Sequence, residues 1–584
     1  MIFKRLWNKL SWKRRKQSIL TLFLMISASL LEVVSIGAVL PFIGVLVSPE
    51  KVFEYKFIQP LIQYLEFTEP KEIVLPITAL FVFAAIIAGI VRLVLMYVMI
   101  RLSYAVGADF SIDIYRRTLY QEYDVHLSRN SSEVIDGIIT KTNIVIRGIL
   151  SPSLMFISST ILIFGIVSAL LIINFAIAMS AFIGFGSLYL VVIRYTRNKV
   201  AVNSQSVADQ STLMVKAIQE GLGGIRDVLI NGSQEFFCKL YRKSDLPMRL
   251  AFGNNAFIAG SPRYIMESLG MALIALIAYI IINQDNSINS AIPVLGALAL
   301  GAQRLLPCLQ QAYSSYSSIM SARASFIEVL KLLDQPYEIE NKRFNNPLKF
   351  MEKIELKNID FRYDRFNPLT LKKINLDILK GSCVGFIGPT GSGKTTLLDI
   401  IMGLLHPTEG YMAIDGKVIN RENKSAWQAK IAHVPQNIFL SDASVESNIA
   451  FGVPKDQIDL ERVKKAAEKA QISGVIESWE LGYNSRIGEG GVKISGGQRQ
   501  RIGIARALYK DVEVLIFDEA TSALDIETER AVMESIEVLK SELTILIIAH
   551  RLTTLQKCDH VIKLDKGLIT KRGPYEDIIK ENKF

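Results

Sequence analysis

Between Gly148 and Ile193 the chain carries no charged side chain, and the one polar break suited to a turn is near Asn174. That run is long enough for two membrane helices of roughly 20 residues each, whereas a soluble core helix has no need of it. Further apolar runs lie at about 19–47, 73–100, 264–282 and 291–309, so six spans are expected. An α-helical membrane domain is therefore the fold expected for this part of the chain.

Charge sets the orientation. The first sixteen residues hold Lys4, Arg5, Lys9, Lys13, Arg14, Arg15 and Lys16 without an acid, whereas the segment after the first span has five acids against three lysines. Cations stay on the cytoplasmic side, so the N-terminus is expected there, and six spans return the C-terminal part to the same side. The run at 19–47 exceeds the apolar core of a secretory signal and no small-residue cleavage site follows, so it reads as a retained helix. The net charge of +10 then reflects topology and attraction to anionic lipid, and nucleic acid is not an expected partner. Trp7 and Trp12 beside these cations suit a membrane-interface segment, a solvated basic tail being the other reading. Cys238, Cys308, Cys383 and Cys558 lack the spacing of a zinc site or a disulfide framework.

Two long polar stretches, 101–147 and 194–263, contrast with short outer turns, so the helices are expected to project into the cytoplasm. Within them, 118–129 and 221–236 combine turn formers with short amphipathic runs, compatible with transverse helices or with plain hairpins. The outer segment 49–70 sets Phe53, Phe57, Leu61, Tyr64 and Leu65 among charges, and fits either a surface helix or an irregular loop. Pro336 and Pro347, with Asn345 and Asn346, break the pattern. The expected division is a transmembrane domain at 1–335, a linker at 336–350 and a second domain at 351–584.

The second domain opens on a strand-like alternation at 353–362 and holds a phosphate loop, Gly388-Pro389-Thr390-Gly391-Ser392-Gly393-Lys394-Thr395, followed by Thr396. Glycines let successive N–H groups curl around phosphate oxygens, Lys394 adds charge, and the Thr395 hydroxyl can hold Mg²⁺. The apolar run at 383–387 before it and the helical pattern after it supply the strand and helix the loop needs. Alone, this motif means only an NTP site. A second apolar strand, 514–517, ends in Asp518 and Glu519, which suit a metal-shell carboxylate and a general base for attack on the γ-phosphate. Gln436 and His550 each follow an apolar run, in the order a nucleotide hydrolase requires.

Ile494-Ser495-Gly496-Gly497-Gln498 completes a set that resembles the ATP-binding cassette family: phosphate loop, Gln436 loop, signature, Walker-B strand, the Ser522-Ala523-Leu524-Asp525 D-loop and the His550 switch. Ile494 stands where the family usually has Leu. The resemblance implies a cytoplasmic α/β P-loop ATPase fused to a membrane domain of the type IV exporter kind. It implies ATP and Mg²⁺ as cofactors, with Tyr363 stacking on adenine, residues 388–396 and Ser495 to Gln498 binding nucleotide, Thr395, Gln436 and Asp518 at the metal, and Glu519, His550 and Gln436 in catalysis. Gly488-Glu489-Gly490-Gly491 resembles the exporter loop near the transverse helices.

One phosphate loop and one signature occur, whereas the family sandwiches ATP between the loop of one cassette and the signature of another. The resemblance thus implies two copies, a homodimer being the simplest arrangement and a heterodimer the alternative. It also implies a multi-pass protein of a bacterial cytoplasmic membrane, with the ATPase inside.

Cargo has to be read from charges in the spans, which are costly unless paired or wetted. Glu32, Arg92, Arg263 with Glu267, and Arg304 stand out. The Arg263–Glu267 spacing fits a helical ion pair, and Glu32 can neutralise Arg92. Arginines facing a cavity would instead bind phosphate or diphosphate oxygens. The segments Leu31-Glu32, Pro41-Phe42-Ile43, Pro262-Arg263, Glu267 to Gly270 and Arg304 to Pro307 resemble bacterial flippases of lipid-linked oligosaccharides. A polyprenyl-diphosphate-linked oligosaccharide is accordingly the leading expected cargo, with lipid-A-like lipids, peptides or hydrophobic drugs as alternatives. An ATP-gated channel or non-transporting regulator is the competing class, disfavoured because Glu519 and His550 equip the chain for turnover.

Overall fold

The computed structural model describes residues 2–38, 70–173, 175–284, 288–337, 348–519, 543–549 and 552–579, and isolated positions 42, 45, 46, 527, 529–531 and 534. Two compact units arise, one from residues 1–121 and 129–338, the other from 122–128 and 339–584.

The first unit is helical throughout its described residues. A short amphipathic helix, Ile2–Lys9, precedes the long helices Trp12–Gly37, Val74–Leu119, Ser151–Ile173, Phe175–Gly223, Pro262–Gln284 and Ile288–Ser321. Among the described residues, three stretches are long and apolar enough to cross a membrane: Trp12–Ser35, Val74–Leu119 and Ser131–Ala169. Helices suit such a setting because each satisfies its own backbone polar groups where no water can. Small polar residues help their packing: Ser29 Oγ donates to the Ile161 carbonyl at 3.4 Å, and a Cβ on Gly165 would meet Ser29 and Val33 at 2.9 Å. The outer segment 49–69 lies outside the described residues.

The stretch from Ser131 to Ile173 runs through two π-helical turns, Gly137–Lys141 and Ile146–Leu150. A π turn shifts the facing of side chains, and here it accompanies a buried ion cluster. Lys141 Nζ lies 3.1 Å from Asp136 Oδ2, also pairs with Glu328, and donates to Thr212 Oγ1 at 2.7 Å. Ser211 and Thr212 each donate to Asp136 at 2.8 Å. Asp136 is fully buried and Lys141 nearly so. The Lys141–Glu328 contact joins residues 187 positions apart, and removing Lys141 leaves the buried Asp136 carboxylate without its cation.

The second unit holds two sheets. Strands β1 (Lys353–Phe361), β2 (Leu371–Leu379), β4 (Glu409–Ile414) and β5 (Lys417–Val418) form an antiparallel sheet in the order β2-β1-β4-β5. Strands β3 (Cys383–Ile387), β6 (Ile431–Val434), β7 (Val514–Asp518), β8 (Thr544–Ile548), β9 (His560–Asp565) and β10 (Leu568–Gly573) form the other, in the order β10-β9-β3-β8-β7-β6. Within it β9, β3, β8, β7 and β6 are parallel. Residues of β3 and β8 are buried on both faces, as a parallel sheet covered on both sides requires. Residues 122–128, with the helix Tyr123–Ser128, belong to this unit, where the Glu122 carboxylate pairs with Arg421 Nε at 3.0 Å and Lys424 Nζ at 3.6 Å.

Lys141→Ala should lower the stability of the helical unit by about 3–5 kcal/mol, and adding Asp136→Ala should recover a measurable part of the loss. Thermal unfolding of the two single variants and the double variant in detergent checks this; additive losses would contradict the buried pairing.

Candidate nucleotide and cargo sites

The C-terminal ends of parallel strands form the usual ligand edge of an open α/β sheet, and the phosphate loop, Gln436, Asp518 and Glu519 follow β3, β6 and β7 there. β3 ends at Ile387 and the chain turns through Gly388 and Gly393 into the helix Lys394–Ile401. Gly388 has φ +152°, and a Cβ there would sit 2.1 Å from the Leu564 carbonyl oxygen. At Gly393, φ is +100° and a Cβ would meet Leu371 at 2.8 Å. Neither position tolerates a side chain, so the loop is held open by composition. Lys394 Nζ donates to the carbonyls of Gly388 and Pro389 at 2.8 and 3.1 Å. Ser392 Oγ is buried without a partner, while Thr390 and Gly391 are exposed. An orphan hydroxyl, a lysine and a helix N-terminus converging on one backbone concavity fit a polyphosphate.

On the neighbouring strand, Asp518 Oδ2 lies 3.5 Å from Thr395 Oγ1. A hydroxyl and a carboxylate are hard oxygen donors of the type Mg²⁺ takes, so the residues present fit that ion. Glu519 follows with φ +52°, an uncommon backbone region for a residue with a side chain. Its N–H donates to the Ile548 carbonyl at 3.0 Å, which ties this turn to β8. Gln436 Nε2 donates to Glu519 Oε2 at 2.7 Å, so the structure joins Gln436 to the expected base. Tyr363 is half exposed, its hydroxyl 2.9 Å from Thr396 Oγ1 and its ring packed edge-on against Phe361 at 5.0 Å. Those contacts fix the ring while leaving area for a base.

The signature begins the helix Gly496–Tyr509. Ser495 Oγ accepts from the Gln498 N–H at 3.2 Å, and Gln498 Oε1 accepts from the Ser495 N–H at 2.9 Å. This reciprocal cap explains Ser and Gln at that spacing, and the exposed Ser495 and Gly496 leave the helix end accessible to an anion. His550 and the D-loop, 522–525, lie outside the described residues.

Asp399 was not singled out from sequence. It is buried on the helix Lys394–Ile401, and burial, followed by the nearby Asp518 charge, raises its carboxyl to about 6. Nothing in the local sequence marks it, because burial is a tertiary property.

In the helical unit, Arg92 Nη1 reaches Glu32 Oε1 at 3.3 Å, with Glu32 buried and the Arg92 side chain 52% exposed. Arg263 Nε donates to Glu267 Oε1 at 2.7 Å, and both side chains remain about half exposed. Arg263 and Glu267 line a cavity of about 110 Å³ with Tyr189, Met266, Leu306 and Gln310. Arg304 belongs to the helix Ile288–Ser321, and its side chain lies outside the described residues. Both expected ion pairs thus form, and both arginines keep exposed surface.

Residues 371–522 match the ABC transporter family model, and residues 18–300 match that of the ABC transporter transmembrane region. An ATP-dependent lipid A-core flippase of Cupriavidus metallidurans is 27% identical over 519 residues, covering 87% of this chain and 85% of that protein. The corresponding flippase of Escherichia coli is 32% identical over 393 residues, covering 67% and 66%. A solved bacterial Atm1-family ABC exporter with ATP bound matches the fold with a TM-score of 0.79 at 22% identity, covering 98% of this chain and 96% of the other.

Glu519→Gln should retain ATP binding and lower hydrolysis about 10²–10⁴-fold, the range for losing a general base. Nucleotide binding and phosphate release measured on the same preparation check this, and hydrolysis near the wild-type rate would exclude Glu519 as the base.

Proposed function

Because this chain belongs to the ATP-binding cassette transporter family and couples ATP hydrolysis to transport, we propose that it is a homodimeric flippase of a phosphorylated amphipathic glycolipid. It moves that lipid from the inner to the outer leaflet of a bacterial cytoplasmic membrane. The observation that carries the cargo class is the pair of half-exposed arginines, Arg92 and Arg263, each anchored by a carboxylate and flanked by apolar residues of its helix. A guanidinium has five N–H donors, so one carboxylate contact leaves others for phosphate oxygens. A polyprenyl-diphosphate-linked oligosaccharide has such a head. The lipid A-core name of the relatives favours a second reading within the same class, a lipid A-like phosphoglycolipid.

At the nucleotide site, residues 388–396 cradle the phosphates and Tyr363 supports the base. Thr395 and Asp518, with Gln436, would hold Mg²⁺, which would neutralise charge on the phosphate oxygens. Glu519 accepts the proton of the attacking water, His550 takes part in catalysis, and Ser495 to Gln498 of the partner subunit complete it. Two such sites in a homodimer both hydrolyse.

Transport assays in proteoliposomes should show Arg304→Ala reducing glycolipid flipping more strongly than basal ATPase activity, and equal loss of both would indicate a structural arginine. Stimulation of ATPase activity by candidate lipids in nanodiscs separates the cargo readings. No response to either polyprenyl-diphosphate sugars or lipid A would overturn the phosphoglycolipid reading.

A further inference from the structure

An apolar cavity of about 340 Å³ lies within the helical unit between the N-terminal helix and the helices Trp12–Gly37, Val74–Leu119 and Ser151–Ile173, with Leu6, Trp7, Leu22, Leu102 and Leu154 among its walls. It is distinct from the small cavity beside Arg263 and shares no residue with it. Three serines line the apolar cavity, of which Ser18 and Ser103 donate to the Arg14 and Met99 carbonyls at 2.9 and 2.8 Å, and the third is the exception. Ser153 is buried, lines the cavity, and its hydroxyl has no hydrogen-bond partner. A buried hydroxyl without a partner costs roughly 1–3 kcal/mol, so a ligand oxygen reaching it would be favoured.

Charge lies at the same end. Trp7, 40% exposed, forms part of the cavity wall, and the Arg15 guanidinium stands 6.0 Å from its ring centroid. Arg15 Nε and Nη2 donate to the Trp7 and Asn8 carbonyls at 3.2 and 3.1 Å, which leaves other N–H donors of the group for an anion. Lys4, Arg5, Lys13 and Lys16 of the same N-terminal segment are exposed. The neighbouring acids are already engaged: Asp109 pairs with Arg14 at 2.7 Å, and Asp334 pairs with Lys9. A hydrocarbon slot walled by an aromatic ring, with Arg15 anchored beside that ring in a segment rich in exposed cations, matches a lipid with a negatively charged head, not a zwitterionic one.

We infer that this cavity is a binding site for one acyl chain of an anionic glycerophospholipid from the cytoplasmic leaflet, with its phosphate at Arg15 and an ester oxygen accepting from Ser153. The lipid is a resident ligand, not cargo. It would hold the N-terminal helix against the long helices at the membrane surface.

The test uses the full chain in nanodiscs, with Trp12, Trp427 and Trp479 replaced by Phe so that Trp7 alone reports. Brominated-acyl phosphatidylglycerol should quench Trp7 at a mole fraction about fivefold lower than brominated-acyl phosphatidylcholine, as expected for about one added charge contact. Arg15→Gln should remove that preference while leaving quenching by phosphatidylcholine unchanged. Ser153→Leu, which fills the slot, should weaken quenching by both lipids. Native mass spectrometry of the unmutated protein, which also covers a tryptophan-substituted chain that fails to fold, should retain phosphatidylglycerol in preference to phosphatidylcholine. Equal quenching by the two lipids, an undiminished preference in Arg15→Gln, or no retained lipid would overturn the site. No cargo or ATP enters these measurements, so their failure is separate from failure of the flippase reading.

Discussion

The main-chain ladder joining Phe517 and Asp518 of β7 to Ile547 and Ile548 of β8 determines where the chemistry of the nucleotide unit can occur. It continues one residue beyond the strand, through the Glu519 N–H to the Ile548 carbonyl, and so holds Glu519 in its left-handed turn. β8 in turn pairs with β3, whose end releases the phosphate loop. Three parallel strands thus bring Lys394, Thr395, Asp518 and Glu519 to one edge although more than a hundred residues separate them in sequence. A conformation uncommon for a side-chain-bearing residue persists at Glu519 because the sheet over-determines it.

The helical unit obeys a different constraint. Apolar helices need little from one another in lipid, so specific features stand out against a uniform background. Three are prominent: the buried Asp136–Lys141–Glu328 cluster, the Arg92–Glu32 pair, and the Arg263–Glu267 pair. In the first, the nearly buried Lys141 Nζ meets Asp136, Glu328 and Thr212, as a structural element should. The other two leave guanidinium surface exposed, and that difference motivates assigning recognition to them.

Much of the nucleotide site was legible because its chemistry is local. The phosphate loop and the Ser495–Gln498 cap each span a few residues with fixed spacing, and the structure shows why each residue type is there. The helical pairs Arg263–Glu267 and Arg92–Glu32 were also within reach of simple spacing and charge arguments. The cluster at Lys141 was not, because its partners are scattered and the π turns that aim them leave no compositional trace. Asp399 and the Ser153 cavity escaped for a related reason. Both depend on burial created by distant segments, whereas Asp and Ser are unremarkable in sequence.

We propose that each nucleotide site is shared by two chains, the loop of one facing the signature of the other. It can be tested with two differently tagged chains, each stripped of its four cysteines, one carrying Thr390→Cys and the other Ser495→Cys. With a slowly hydrolysed ATP analogue and Mg²⁺, oxidation should yield a disulfide-linked product containing both tags, and little without nucleotide. Absence of any inter-chain product with nucleotide bound would contradict the shared site.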